Sequence, residues 1–333
     1  MREDYLVLKD LSKSFNSSEG EVLAVDNVKL EVKEGELVTL LGPSGCGKTT
    51  TLRMIAGFEG PTSGSIFIDG EKINAIPPNR RPTTMVFQNY ALFPHMKVEE
   101  NIAYGLKLQN TPKSELKKRT EEVMRLVGLT GMGNRSPAQL SGGQQQRVSL
   151  ARSLIMEPKV LLLDEPLSNL DAKLRVATRL EIRRLQQRIG ITSVYVTHDQ
   201  EEAMTLSDRV VIMRDGKIQQ VGTPRDIYAH PVNKFVAGFI GRVNFIDAVY
   251  LGPISDSEAR VSIYGEKITV PIHQRSFQPG EEVSLVVRPE SIALEPAKSG
   301  RLRGRIFESV YLGNRITYGV DLEKSKLTVD VAN

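Results

Sequence analysis

The chain has 333 residues, of which 40% are hydrophobic and 25% charged, and a net charge of +4. This length predicts two domains, and the small net charge, with basic clusters set among acidic residues, argues against a nucleic-acid partner. No apolar run approaches the roughly 18 residues that span a bilayer. We expect no signal peptide from the charged residues 1–4, and a single cysteine excludes an internal disulfide.

The first part of the chain, to about residue 87, has strand patterning around a strand, a glycine loop and a helix in succession. Residues 37–41 are typical of a short buried strand, and residues 50–56 of the first turns of a helix. Between them, residues 42–49 fit G-x-x-x-x-G-K-[ST], whose backbone N–H groups surround phosphate. Lys48 is suited to contact β- and γ-phosphates, and the Thr49 hydroxyl to ligate Mg²⁺. We interpret Cys46 as a packing residue within this loop and not as a nucleophile.

The next stretch, residues 89–157, has helical patterning. Apolar residues at helical spacing lie within 114–127, and Gly128 favours a stop. Strand signals return at 159–163 and 193–197, with one apolar helix face between them. This succession, with strands that are apolar throughout, predicts a parallel sheet covered on both sides. The helical stretch therefore has the place of an insertion.

Two carboxylates follow the apolar strand at 160–163. Ligands of open parallel sheets lie at the carboxyl ends of the strands, beside the phosphate loop. Asp164 is suited to hold Mg²⁺, and Glu165 to orient and deprotonate an attacking water.

Residues 140–147, LSGGQQQR, predict a second helix start that is open to an anion. Ser141 and Gln144 fit a capping box, and Gly142 and Gly143 allow close approach to free N–H groups. The chain thus has two helix starts suited to phosphate but one lysine loop. A γ-phosphate contacted from two sides would explain both.

The last third of the chain has short, turn-punctuated, β-branched segments that predict a small all-β barrel or sandwich. They lie at 243–251, 260–263, 267–272, 282–287, 301–312 and 316–322.

Six motifs in this order resemble the ATP-binding subunit of an ABC transporter, over nearly the whole chain. They are the phosphate loop at 42–49, Gln88 within 86–90, the signature at 140–144, Asp164-Glu165, residues 168–171 and residues 196–199. The resemblance implies an α/β fold: a P-loop NTPase core with an inserted helical subdomain, then a small all-β OB-like (TOBE-type) domain. We expect the nucleotide-binding domain at 1–235, with its helical subdomain at about 89–157, and the OB-like domain at 236–333.

The resemblance also implies the site. ATP with Mg²⁺ is expected between two subunits paired head to tail, where the signature of one closes on the ATP of the other. Lys48, Glu165 and His198 are the expected catalytic residues, with His198 at the γ-phosphate, and Thr49, Gln88 and Asp164 the expected Mg²⁺ ligands. The other expected nucleotide contacts are Phe15 on adenine, Gly42, Pro43, Ser44, Gly45, Cys46, Gly47, Thr50, Ser141, Gly142, Gly143, Gln144 and Asp171, the last for communication between subunits.

The C-terminal segments 239–245 and 288–292 resemble the regulatory domain of prokaryotic importer ATPases. We therefore expect an ATPase at the cytoplasmic face of the membrane, with two permease subunits and, indirectly, an extracytoplasmic solute-binding protein. Polyamine or mineral and organic-ion import is favoured. The alternatives are a sugar importer, an ABC ATPase that never contacts a permease, and a nucleotide sensor without turnover.

Residues 327–333 are typical of the middle of a strand, which predicts a barrel that is incomplete or closed by a shorter route.

Overall fold

The chain forms two compact units, Met1–Ile227 and Tyr228–Asn333, in a computed structural model that describes residues 2–17, 20–272, 277–296 and 299–333. The sequence-based boundary, after residue 235, lies further along the chain than this division. Within the described ranges, no helix is both long enough and apolar enough to cross a membrane.

The first unit contains strands and helices in mixed order. In chain order they are β1 (Leu6–Ser17), β2 (Gly20–Val32), β3 (Leu37–Leu41), α1 (Lys48–Ala56), β4 (Ser63–Ile68), β5 (Glu71–Lys72), β6 (Thr83–Val86), α2 (Val98–Leu108), α3 (Lys113–Leu126), α4 (Gly142–Leu154), β7 (Val160–Asp164), α5 (Ala172–Ile189), β8 (Thr192–Thr197), α6 (Gln200–Leu206), β9 (Arg209–Arg214) and β10 (Lys217–Gly222). The next helix, α7 (Pro224–Ala229), begins in the first unit and ends two residues into the second.

A six-stranded sheet in the order β10-β9-β3-β8-β7-β6 forms the centre of this unit. Five strands are parallel, as predicted, whereas the edge strand β10, which the prediction did not include, pairs antiparallel with β9. A tight turn joins β9 to β10, and a connection this short permits only antiparallel pairing.

Alternate residues of the central strands enter two different cores, which is why these strands are apolar throughout. Val160 and Leu162 of β7 pack in the core that contains α1, whereas Leu161 and Leu163 pack in the core that contains α2, α3 and α4. The sheet is therefore covered on both faces, as its unbroken apolar runs predict.

A second sheet, in the order β2-β1-β4-β5, is antiparallel and contributes to the core around α1. The sequence predicted several of these strands but not that they form a separate sheet. The helical stretch between β6 and β7 contains α2, α3 and α4, in line with its predicted patterning.

The second unit is built almost entirely of strands. Helix α8 (Lys234–Phe239) precedes them in the chain. The strands are β11 (Asn244–Pro253), β12 (Glu258–Ile263), β13 (Glu266–Pro271), β14 (Glu282–Val287), β15 (Arg305–Tyr311), β16 (Arg315–Asp321) and β17 (Lys326–Ala332). Two antiparallel sheets, β13-β12-β11-β14 and β15-β16-β17, share one core that includes Ile246, Val261 and Val329. This is the small all-β architecture that the sequence predicts.

Candidate nucleotide-binding site

The phosphate loop connects β3 to α1 and is shaped by glycine. Gly47 has a φ of 99°, and a Cβ there would lie 2.4 Å from the carbonyl oxygen of Ala24. Any side chain at this position would therefore be strained and would also collide with backbone. Because α1 begins at the next residue, its free N–H groups and its positive dipole end face the loop.

Lys48 is buried within the loop. Its Nζ donates to the carbonyl oxygens of Gly42 and Pro43, both at 2.8 Å, and lies 3.7 Å from Sγ of Cys46. The ammonium group is thus held where phosphate oxygens would enter the loop. Burial raises the pKa of the Cys46 thiol, although nearby Lys48 opposes that shift, which supports the packing interpretation of Cys46.

The sheet register brings the carboxyl ends of three strands together beside this loop. Leu41 of β3 is paired with Thr197 of β8, and Val196 of β8 is paired with Asp164 of β7. The Thr49 hydroxyl donates to Oδ1 of Asp164 at 3.3 Å. Burial raises the pKa of Asp164, and the hydrogen bond from Thr49 opposes the shift. A hydroxyl and a carboxylate this close form a pair of oxygen donors of the kind Mg²⁺ prefers.

Glu165 and His198 contact each other at the same edge. The backbone at Glu165 is left-handed, with a φ of 43°, and its carboxylate Oε2 lies 3.2 Å from Nδ1 of His198. A non-glycine residue in this conformation is uncommon and clusters at functional sites. The imidazole is mostly exposed, whereas the carboxylate is largely covered. This pair places a proton acceptor and an imidazole next to the Asp164 carboxylate.

A buried carboxylate that the sequence did not reveal supports the end of β8. Oε2 of Glu202 accepts hydrogen bonds from the hydroxyls of Tyr195, at 2.9 Å, and Thr197, at 2.8 Å. The Thr197 hydroxyl in turn accepts from the N–H of Asp199 at 3.0 Å. Residues on both sides of His198 are therefore fixed. In the sequence, Glu202 is one of several charged residues that follow His198, and no pattern indicates that its side chain is buried.

The segment that contains Gln88 runs between β6 and α2, and side chains from other parts of the chain donate hydrogen bonds to its backbone carbonyls. The Gln88 carbonyl accepts a hydrogen bond from Nδ2 of Asn169 at 2.8 Å. Ser149 and Arg152 of α4 both donate to the Tyr90 carbonyl, and Arg152 also donates to the Ala91 carbonyl. The sequence identified Gln88 by resemblance but missed these three supports, because a polar residue on a helix or in a loop carries no pattern that shows what it contacts.

The second predicted helix start has the expected local structure. Ser141 caps α4: its hydroxyl accepts from the N–H of Gln144 at 3.4 Å, while Oε1 of Gln144 accepts from the N–H of Ser141 at 3.0 Å. Ser141 is exposed, and no hydrogen bond or ion pair among the described residues joins it to the phosphate loop of its own chain. A Cβ at Gly142 would lie 2.9 Å from Cδ2 of Leu170, so a larger residue there would require the end of this side chain to shift.

Two other expected contact residues lie on different elements. Phe15 is on β1, is 38% exposed, and has Nζ of Lys13 at 4.7 Å from its ring centroid. An exposed aromatic face of this kind is available for stacking. Asp171 is the N-cap of α5 and accepts from the N–H of Leu174 at 2.9 Å.

The fold thus brings the phosphate loop, Asp164, Glu165 and His198 together at the carboxyl ends of β3, β7 and β8. Thr50 follows Thr49 within the first turn of α1. The signature residues 141–144 begin a different helix, α4. The site of a single chain is therefore made of one closely spaced group and one separate helix start.

Comparison with known proteins bears on this arrangement. Residues 25–168 match the ABC transporter family, and residues 285–333 match the TOBE domain. Over 324 residues, the chain is 49% identical to the Fe(3+) ions import ATP-binding protein FbpC 1 of Rhizobium meliloti (strain 1021), covering 97% of this chain and 90% of that protein. It is 50% identical over 323 residues to the spermidine/putrescine import ATP-binding protein PotA of Acidothermus cellulolyticus, covering 95% of this chain and 83% of that protein.

A solved structure is also similar. A dimeric ATP-binding cassette in a post-hydrolysis state, bound to ADP and Pi, superimposes with a TM-score of 0.58 and 33% identity, covering 66% of this chain and 99% of that one. These findings confirm the predicted resemblance and fold class. The chain belongs to the ABC transporter family, among the ATP-hydrolysing subunits of its importers.

Proposed function

We propose that two copies of this chain, paired head to tail, hydrolyse ATP with Mg²⁺ to drive import of a metal ion or a polyamine through a membrane permease. The observation that supports this proposal is the grouping of Lys48, Asp164, Glu165 and His198 at one sheet edge, apart from the exposed helix start at Ser141.

The roles follow from the chemistry of each group. Lys48 and the loop N–H groups bind the β- and γ-phosphates, and Phe15 stacks on adenine. Glu165 orients and deprotonates the attacking water, and His198 contacts the γ-phosphate. Thr49 and Asp164, with Gln88, would hold Mg²⁺, which when bound supplies positive charge against the phosphate oxygens. The hydrogen bond between Thr49 and Asp164 supports this ligand pair.

The signature helix acts on the partner's nucleotide. Ser141 with the N–H groups of Gly142 and Gly143 would contact the γ-phosphate bound by the other copy, so that each site takes residues from both chains. The exposed position of Ser141 leaves this helix start accessible to a second copy. Opening and closing of the pair would move the helical stretch between β6 and β7 against two permease subunits at the cytoplasmic face of the membrane. An extracytoplasmic solute-binding protein would deliver the solute.

A complementation experiment tests the composite site. Lys48→Ala removes the phosphate cation of one chain, and Ser141→Arg blocks the signature of one chain. Each variant alone should be inactive, because both sites of its dimer carry the defect. An equimolar mixture should recover activity, up to about a quarter of the wild-type rate, since half of the random pairs are mixed and each of those has one intact site of two.

The same mixture also has an outcome that would contradict the composite site. A rate no higher than the sum of the two variants measured alone would contradict sites shared between chains. The solute class needs a different measurement: ATP hydrolysis by the reconstituted complex with its permeases and solute-binding protein. Stimulation by ferric iron or by spermidine would identify the class, whereas stimulation by a sugar alone would contradict it.

A further inference from the structure

The Gln88 segment, defined as residues 88–91, contains two consecutive residues in an unfavourable conformation. Tyr90 has a φ of 60° and Ala91 a φ of 48°. Left-handed backbone is disfavoured for residues with a Cβ, and two in succession are rarer than one. Such a conformation persists only where the surrounding structure holds it. The segment therefore needs support from outside itself.

Helix α4 supplies most of that support. The Arg152 guanidinium donates to the Tyr90 carbonyl at 2.9 Å and to the Ala91 carbonyl at 2.6 Å, and the Ser149 hydroxyl donates to the Tyr90 carbonyl at 3.0 Å. Hydrogen bonds from a charged guanidinium are short and strong, and its planar fork fixes direction. The guanidinium carbon also lies 5.5 Å from the ring centroid of Phe93. Arg152 is thus held in place by packing while it contacts both left-handed residues.

The two ends of α4 have different tasks. Its first turn, capped by Ser141, is the part proposed above to contact the partner's ATP. Arg152 lies ten residues after Gly142, which corresponds to about 15 Å along the helix axis. A helix of this length moves as one body, so a displacement at Ser141 reaches the backbone that carries Gln88.

We propose that Arg152 is a positioning residue for Gln88, and that through α4 it makes the placement of Gln88 in one site depend on closure over the ATP of the other site. This inference rests on the proposed function, because it takes Gln88 as a contact of Mg²⁺ and water. Arg152 is proposed to act without contacting the nucleotide itself. Its effect on hydrolysis is exerted through the backbone of the Gln88 segment.

A double-mutant cycle between Arg152→Met and Gln88→Ala tests the inference in the full chain. Arg152→Met keeps the apolar part of the side chain and removes the donors. It should lower kcat about 10- to 100-fold, since a misplacement of about 1 Å can cost that much, while KM for ATP changes less than about twofold. In the Gln88→Ala background the same substitution should have almost no further effect, because the residue it positions is gone.

Arg147→Met is the matched control. Arg147 lies on the same helix but pairs with Glu181, at 2.6 Å, and has no described contact with the Gln88 segment. Its kcat should stay near that of the wild type. A rescue adds a second readout: Ala91→Gly lets the left-handed conformation form without a Cβ penalty, so it should restore part of the kcat lost in Arg152→Met.

The outcomes are distinguishable. If Gln88→Ala slows hydrolysis and Arg152→Met slows it by the same factor in both backgrounds, Arg152 acts independently and the inference is wrong. If Gln88→Ala leaves hydrolysis unchanged, the proposed role of Gln88 is wrong, and the inference falls with it. Should Arg152→Met not fold, Arg152→Lys and Ser149→Ala enter the same cycle, with the same dependence on Gln88 expected and additive losses overturning the inference.

Discussion

At the scale of single residues, the site depends on groups whose chemistry is set by their immediate surroundings. Glu165 is largely covered and lies against His198, whereas Asp164 is buried and accepts a hydrogen bond from Thr49. Adjacent carboxylates in one chain thus have different neighbours, which supports a ligand role for Asp164 and a base role for Glu165.

The base role predicts the effect of Glu165→Gln. The amide keeps the size of the side chain but cannot accept the proton of water, so ATP hydrolysis should slow about 10²- to 10⁴-fold. ATP binding and ATP-dependent dimerisation should persist, because neither needs the carboxylate. Phosphate release, nucleotide affinity and size-exclusion chromatography with ATP measure the three properties. Turnover close to that of the wild type would rule out Glu165 as the base.

Glu202 predicts a pH dependence of stability. Burial raises its pKa from the ordinary value of 4.5, although the Thr197 and Tyr195 hydroxyls oppose the shift. The native state therefore binds this proton more tightly than the unfolded chain, and the free energy of unfolding contributed by Glu202 decreases as the pH rises above about 4.5.

Glu202→Gln removes that titration. Between about pH 4.5 and about pH 7, the free energy of unfolding from urea denaturation should decrease in the wild type relative to that of Glu202→Gln. The exposed neighbour provides the control variant Glu201→Gln. Parallel curves for Glu202→Gln and the wild type would show that Glu202 carries no such linkage.

At the scale of elements, helix starts position several residues of the site. Ser141 caps α4, Asp171 caps α5 and Asp199 caps α6. For Ser141 the capping box was readable from the sequence. For Asp171, resemblance implies communication between subunits, and the structure adds a local task, because its carboxylate binds the N–H of Leu174.

Those two tasks of Asp171 can be separated. Asp171→Ala removes the cap and should lower the free energy of unfolding by about 1 kcal/mol, whereas Asp171→Ser retains an accepting oxygen and should stay close to the wild type. If communication between subunits needs the carboxylate, both variants should lose ATPase activity although only one loses stability. Urea denaturation and phosphate release measure the two effects. Equal loss of stability in both variants would contradict the capping role.

At the scale of the whole molecule, each of the two units has its own hydrophobic core. The cores of the first unit surround the six-stranded sheet, and that of the second unit lies between its two antiparallel sheets. All the proposed nucleotide contacts lie in the first unit. A ligand that binds one folded unit stabilises that unit by mass action.

Calorimetry should therefore resolve two unfolding transitions. ADP with Mg²⁺ at about 100 times its Kd should stabilise the first unit by about 2.7 kcal/mol and raise the Tm of one transition only. Lys48→Ala should abolish this shift and leave the other transition in place. A single transition that moves as a whole would show that the two units unfold together.

Local sequence patterns predicted many of the structural elements of this protein. The phosphate loop, the capping box at Ser141, the apolar strand before Asp164 and the short strands of the second unit are all patterns of neighbouring residues, and the structure contains them. Periodicity and turn residues act over a few positions, so they can be read without knowing the fold.

Only the tertiary structure decided which distant residues meet. The antiparallel pairing of β10, the separate sheet of β1, β2, β4 and β5, the burial of Glu202 and the contact of Arg152 with Tyr90 and Ala91 all join residues with no shared pattern in the sequence. The contact of Glu165 with His198 likewise depends on the pairing of β7 with β8. Such contacts follow from strand register and core packing over the whole chain, whereas sequence patterns report only the conformation of the residues that carry them.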